Sequence, residues 1–174
     1  MFISFGSIVE NSKRTSNVLI LGPYRSIDTT RDEISNICKR RLEKLKEFLI
    51  QKGFINTHLV SDFPDEEGVP RNAIRAHFLK KSMHYIELWA DILLYIFLRE
   101  CDNSGVETEL SFMVFHVKHK CNVSTVIRPD EIVLSGLQLG QIELFRIRDL
   151  PYNEEDEIED LAFSACFNIL YRII

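Results

Sequence analysis

Two glutamates near the start of one segment have the clearest capacity for chemistry in this chain. Glu107 and Glu109 lie in the segment Asn103–Leu110, which closely follows the apolar run Asp91–Leu98. A short run of large apolar residues indicates a strand buried on both faces, and a small polar break before a new periodic segment indicates the start of a helix. Ligands bind at this kind of junction in open α/β sheets. The pattern therefore predicts a helix that carries a carboxylate to a ligand site.

Spacing separates the roles of the two glutamates. Ser104 and Glu107 stand three residues apart, as in a capping box, where each side chain bonds a backbone N–H of the first helical turn. At about 100° per residue, Glu109 projects within the apolar arc of the helix. Burial there raises a carboxyl pKa and the positive end of the helix dipole lowers it, and the sequence leaves open which effect is larger. The alternative is an exposed glutamate that only favours the dipole.

The elements that must position these residues alternate along the chain. Apolar runs predict strands at residues 18–21, 56–60, 91–98, 123–127 and 142–147, and a polar segment, residues 11–17, precedes the first. Helical periodicity predicts helices at residues 30–52, 72–83 with an extension toward 89, 105–118 and 154–172. Strands that alternate with helices imply right-handed crossovers. We therefore expect an α/β fold, a Rossmann-like (flavodoxin-like) three-layer sandwich with a mainly parallel sheet of about five strands.

Size and charge limit the classes of function. The 174 residues are 45% hydrophobic and 27% charged, which suits a single domain across residues 1–174. The formal net charge of −5 argues against a nucleic acid polymer as partner, because that affinity comes from clustered Lys and Arg. No apolar stretch reaches membrane-spanning length, and Met1–Gly6 does not resemble a secretory leader. We predict a cytoplasmic protein without a membrane partner.

Cysteine and histidine spacing predicts neither disulfides nor a metal site. No C-x-x-C pair occurs among the four cysteines, which indicates reduced, buried thiols at Cys38, Cys101, Cys121 and Cys166. His116, His119 and Cys121 lack a fourth neighbouring ligand, so no metal is predicted. The sequence patterns of phosphate-binding loops, dinucleotide folds and zinc proteases are also missing, and no cofactor is predicted.

The segment Leu110–Val117 is more apolar than one sheet-facing stripe requires. It includes Phe112 and Phe115. A second apolar face on a helix is typical of a subunit interface. We therefore predict a homodimer.

Three short motifs resemble those of a known enzyme superfamily. They are Gly22–Arg25 after the first strand, Ala90–Leu93 at the start of the third, and Ser104–Leu110 after it. Together they resemble the nucleoside 2-deoxyribosyltransferase superfamily, which includes the 2′-deoxynucleoside 5′-phosphate N-hydrolases and has TIR domains as distant relatives. The resemblance covers roughly the first 120 residues. It implies a nucleoside or nucleotide as the small-molecule partner.

The resemblance also implies roles for individual residues. In the family, a glutamate four residues after a glycine attacks or stabilises the anomeric carbon, and Glu109 follows Gly105 at that spacing. Cleavage of an N-glycosidic bond builds oxocarbenium character on the sugar, which a carboxylate stabilises or traps covalently. The expected substrate-binding residues are Gly22, Pro23, Tyr24, Arg25, Ser104 and Gly105. Gly22 would let the backbone approach the substrate, Tyr24 would stack on a base or bond the sugar, and Arg25 would pair with a phosphate.

The sequence departs from the family at one position and leaves two alternatives open. The family carries an acid about two turns before the Ala-Asp pair, where this chain has Met83, with His84 and Glu87 as nearby substitutes. Asp62, after the second strand, is the other expected catalytic acid. Its alternative role is to cap a turn in a polar loop, and the alternative for Gly22–Arg25 is a plain turn. A non-catalytic nucleotide-binding or interaction module on the same fold is the alternative function.

Overall fold

Five short strands form one parallel sheet. A computed structural model describes residues 5–23, 32–65, 67–68, 70, 73–132 and 134–173. The strands are β1 (Asn17–Leu21), β2 (Asn56–Leu59), β3 (Ile92–Ile96), β4 (Ser124–Pro129) and β5 (Arg148–Tyr152). Neighbouring strands all pair in parallel, in the order β2-β1-β3-β4-β5. This is the flavodoxin-like order, so the expected α/β Rossmann-like fold is confirmed.

Helices cover both faces of the sheet. They are α1 (Phe5–Thr15), α2 (Asp32–Gln51), α3 (Ile74–Leu88), α4 (Ser104–His116), α5 (Gly136–Phe145) and α6 (Glu157–Ile173). α6 contacts α1 and α2, whereas α4 contacts α3 and α5. Right-handed crossovers place α2 on one face and α3, α4 and α5 on the other, because the chain reverses direction across the sheet after β2. The sheet is therefore the middle of three layers.

The core lies on both sides of the central strands. Every residue of β3 is buried, and so are the last four residues of β1. Strands that are covered on both faces are expected to be apolar throughout, which is why the runs were recognisable in the sequence. Gly53 takes a φ of +102° just after α2, as the predicted helix end requires.

The predicted strand at 142–147 is wrong, because these residues belong mostly to α5 and the turn that ends it. Ser135 and Gln138 form a capping box: the Gln138 N–H donates to Ser135 Oγ at 3.3 Å and the Ser135 N–H donates to Gln138 Oε1 at 2.7 Å. Arg146 ends the helix with a φ of +54°. The fifth strand is Arg148–Tyr152, at the edge of the sheet. Pro151 is tolerated there because no strand of the described residues pairs with its outer side.

The polar segment at 11–17 was not predicted to be helical, yet most of it lies in α1. The reason is tertiary contact with α6. Lys13 is buried, bonds Glu10 at 2.8 Å, and places its ammonium 5.8 Å from the Phe163 ring centre. Its long apolar stem thus covers the core in place of a hydrophobic residue.

The prediction of four reduced thiols is wrong for two of them. Cys38 and Cys101 form a disulfide, with a Cα–Cα distance of 6.4 Å. The two residues are 63 positions apart, and only the fold brings them together. Cys121 and Cys166 are free and buried, as predicted.

Among the helices that the structure describes, none combines the length and apolar character needed to cross a bilayer.

Candidate functional site at the β1 and β3 strand ends

The strand order reverses between β1 and β3, and this point defines the candidate site. In parallel α/β sheets the loops after two such strands diverge and leave a crevice at the carboxyl edge. Gly22 and Pro23 follow β1 here, and the loop 97–103 joins β3 to α4. Tyr24 and Arg25, the predicted base and phosphate contacts, lie outside the described residues.

Asn103 closes the loop that leads into α4. Its side-chain amide donates to the Leu98 carbonyl at 3.0 Å, and its oxygen accepts from the Leu98 N–H at 3.1 Å. Asn103 is also the N-cap residue of α4, so Ser104 is already helical. The predicted capping box between Ser104 and Glu107 is therefore wrong, since the helix begins one residue earlier than that motif requires.

The two predicted glycine positions differ in their surroundings. A Cβ at Gly105 would meet no atom of the described residues within 4 Å, and Ser104 beside it is exposed. A Cβ at Gly22 would lie 2.7 Å from Leu42 Cδ1. Gly22 thus allows α2 to pack closely on the end of β1, while the space beside Gly105, at the start of α4, is open among the described residues.

Glu109 is buried, with 5% of its surface exposed. Burial raises its pKa from 4.5 to about 7, and a hydrogen bond with Ser82 partly offsets this. Desolvation is the largest cause of the shift, and the net direction is upward. The alternative of an exposed glutamate is wrong.

Ser82, on α3, lowers the pKa of this carboxyl group and so favours its ionised form, although burial is the larger effect. The Ser82 hydroxyl lies 2.9 Å from the Leu79 carbonyl oxygen and donates to it. One hydroxyl has a single proton to donate. The Leu79 carbonyl and the Glu109 carboxylate therefore compete for that proton, which limits how far Ser82 can offset the effect of burial.

Tyr95 of β3 belongs to the same buried region. It is fully buried, and its pKa is raised first by burial and then by the charge of Glu109. Among the described residues, none hydrogen-bonds the Tyr95 hydroxyl. Sequence reasoning missed both Ser82 and Tyr95. Tyr95 could have been found because its hydroxyl is the one polar group in an otherwise aliphatic strand. Ser82 could have been found because it lies beside Met83, the position at which the resembled family carries an acid.

Asp62 ends the 3-10 helix Val60–Asp62 just after β2. Its carboxylate accepts from the Leu59 N–H at 2.8 Å and from Lys46 Nζ at 3.1 Å. β2 and β3 flank β1, so their carboxyl ends lie about 10 Å apart. Asp62 and α4 therefore lie on opposite sides of the end of β1, and Asp62 already serves as a local cap.

The substitutes for the family's helix acid do not reach this region. His84 and Glu87 are exposed on α3, and Met83 is half-buried. Asp91, from the Ala-Asp motif, lies at the opposite edge of the sheet, where it accepts from the Asn17 N–H at 2.9 Å. Ser82 is thus the α3 side chain that contacts Glu109.

Within the described part of the chain, no three His, Cys, Asp or Glu side chains are arranged to hold a metal ion. No protein-family model matches the chain, and a search of curated proteins finds no match. Functional assignment therefore depends on the chemistry of the residues.

Proposed function

We propose that the protein cleaves the N-glycosidic bond of a nucleoside or nucleotide, as a hydrolase or a deoxyribosyltransferase, with Glu109 at the anomeric carbon. One observation carries the proposal. Glu109 is buried with a pKa of about 7, on the helix that begins at the β1/β3 crevice. Perturbed carboxyl groups near a cleft are typical of acid, base and nucleophile roles.

The raised pKa suits a group that meets a developing cation. At neutral pH, Glu109 exchanges between neutral and ionised forms. Positive charge on the sugar favours the ionised form and lowers the carboxyl pKa. The carboxylate then either stabilises the oxocarbenium ion or forms a glycosyl-enzyme intermediate. Because the ionised form acts, the rate should rise with pH through about 7.

The expected substrate spans the crevice. Ser104 and Gly105 offer exposed backbone and open space on one side, and Gly22 and Pro23 follow β1 on the other. In the proposal, Tyr24 stacks on the base, Arg25 binds a phosphate and Asp62 is the second acid. No cofactor or metal is required.

The test is release of free base. The purified protein is incubated with nucleosides, deoxynucleoside monophosphates and NAD, and the products are separated by chromatography. We expect wild type and the exposed-site control Glu107→Ala to release base, and Glu109→Ala to lose at least about a hundredfold in rate.

Two results would contradict the proposal: no release from any substrate, or equal release by Glu109→Ala and wild type. A second function, a nucleotide-binding module, is favoured by the contacts of Asp62, which explain that residue without catalysis. It is supported if a nucleotide raises the melting temperature while no base appears.

The proposal includes a homodimer that forms through α4. Phe115 on this helix is 58% exposed, and Leu88 at the end of the neighbouring α3 is also exposed. Exposed apolar residues on adjacent helices are typical of a contact between subunits. A cytoplasmic location stays a prediction.

A further inference from the structure

The Cys38–Cys101 disulfide joins the two elements that border the crevice. Cys38 lies in the first half of α2, which follows the β1 loop, and Cys101 lies in the loop between β3 and α4. The Cα–Cα distance of 6.4 Å is within the usual range for a disulfide. The covalent link therefore holds the β3–α4 loop against α2.

The linked loop contains a strained residue. Glu100, next to Cys101, has a φ of +60°, a conformation that side-chain-bearing residues rarely adopt. Such a conformation persists only where the surroundings hold it in place. Asn103 holds the loop from the α4 side, with its amide 3.3 Å from the Cys101 carbonyl oxygen. On the α2 side, Arg41 donates to the Arg99 carbonyl at 3.4 Å, which is long for a hydrogen bond. The disulfide is therefore the stronger of these two links between the loop and α2.

The two sulfur-bearing residues differ in exposure. Cys38 is 2% exposed, whereas Cys101 is only half-buried. We therefore expect a thiolate from solvent to attack at Cys101, with Cys38 as the leaving group. The free thiols Cys121 and Cys166 are buried, and burial raises the pKa of each, so neither competes for the disulfide.

We propose that the Cys38–Cys101 disulfide is a redox-sensitive clasp on the β3–α4 loop, opened by a small or protein dithiol. One thiolate of the dithiol attacks the sulfur of Cys101, and the S–S bond breaks with its electron pair leaving on Cys38, which takes up a proton. The second thiol of the dithiol, as its thiolate, then displaces Cys101, which is also protonated. The protein gains two thiols and is reduced, while the dithiol becomes a cyclic disulfide.

Opening the clasp releases residues 100–102 from α2, while Arg99 keeps its bonds to Arg41 and Glu131. Glu100 can then leave its strained conformation, and the crevice edge beside Ser104 becomes mobile. β3 stays in place, because the Phe97 N–H bonds the Ile127 carbonyl at 2.9 Å and the Tyr152 hydroxyl bonds the Phe97 carbonyl at 3.1 Å. The disulfide can act in this way whether or not Glu109 is catalytic.

The test combines thiol titration with amide hydrogen exchange. In denaturant without reductant, wild type should show two reactive thiols, and after dithiothreitol four. Reduction should speed exchange of the Ser104 N–H, which donates to Asp102 of the loop at 3.1 Å, by about tenfold while the strands stay protected. Cys101→Ser should exchange fast without reductant and show no further change. The control Cys121→Ser should match wild type in exchange and show one reactive thiol before reduction and three after.

Three results would overturn the proposal. Four reactive thiols before reduction would mean that the disulfide does not form. Unchanged exchange at the Ser104 N–H would mean that the disulfide does not restrain the loop. Faster exchange across the whole sheet would mean that the disulfide stabilises the entire fold and not the loop in particular.

Discussion

Burial of Glu109 makes ionisation of its carboxyl group unfavourable. The folded protein raises its pKa from 4.5 to about 7. Between these two values the folded state binds more protons than the unfolded state, so stability falls as pH rises through this window. The full loss of folding stability is present above about pH 7, and it is absent below 4.5, the pKa of Glu109 in the unfolded state. A residue that lowers stability at neutral pH is typical of a functional site.

Replacing this glutamate with its neutral isostere should therefore stabilise the protein in a pH-dependent way. Glu109→Gln should raise the free energy of unfolding by on the order of 3 kcal/mol at about pH 8 and leave it nearly unchanged at about pH 4. Urea unfolding at both pH values measures the difference. Glu107→Gln, an exposed neighbour on the same helix, is the matched control and should show little change at either pH.

A pH-independent effect of Glu109→Gln would show that packing, not ionisation, distinguishes the two side chains. A destabilised variant at about pH 8 would show that the ionised carboxylate has better partners than Ser82 provides.

The contact between Gly22 and α2 sets the geometry of the first strand end. Leu42 is buried with 1% exposure, so it has little room to retreat from a new methyl group. Gly22→Ala should lower the free energy of unfolding by about 1–3 kcal/mol, because a packed core resists added volume. The effect is measured by denaturant titration.

A double-mutant cycle separates this contact from the loss of glycine flexibility. Gly22→Ala should cost less in a Leu42→Ala background, since the clash is then removed. Gly140→Ala is the control: it lies in α5 with no described atom within 4 Å of the new Cβ, and should stabilise the helix by about 0.5–1 kcal/mol. Additive effects at Gly22 and Leu42 would contradict the packing role.

Element prediction succeeded where one residue pattern dominated. β1 and β3 are buried on both faces, so their sequences are apolar throughout. α5 and β5 were missed because their signals conflict: 142–147 alternates like a strand but follows a helix cap, and Arg148–Tyr152 is a strand with few strand-forming residues. At an edge, one partner strand is enough to impose the extended conformation on such a sequence.

Assembly is the prediction that belongs to the whole molecule. Light scattering at micromolar concentration should give the mass of a dimer for wild type and of a monomer for Phe115→Ser, because the substitution removes an apolar contact from the proposed α4 interface. Leu144→Ser, which changes an even more exposed apolar residue on α5, should remain dimeric. A monomeric wild type would contradict the homodimer.

The sequence by itself determined the class of fold and the helix that carries Glu109. Strand and helix periodicities are local properties, and a few residues suffice to establish them. The tertiary structure alone decided the protonation preference of Glu109, the pairing of Cys38 with Cys101, and the contact between Glu109 and Ser82. These depend on segments that are distant in the chain, and desolvation and disulfide geometry arise only when packing brings such segments together.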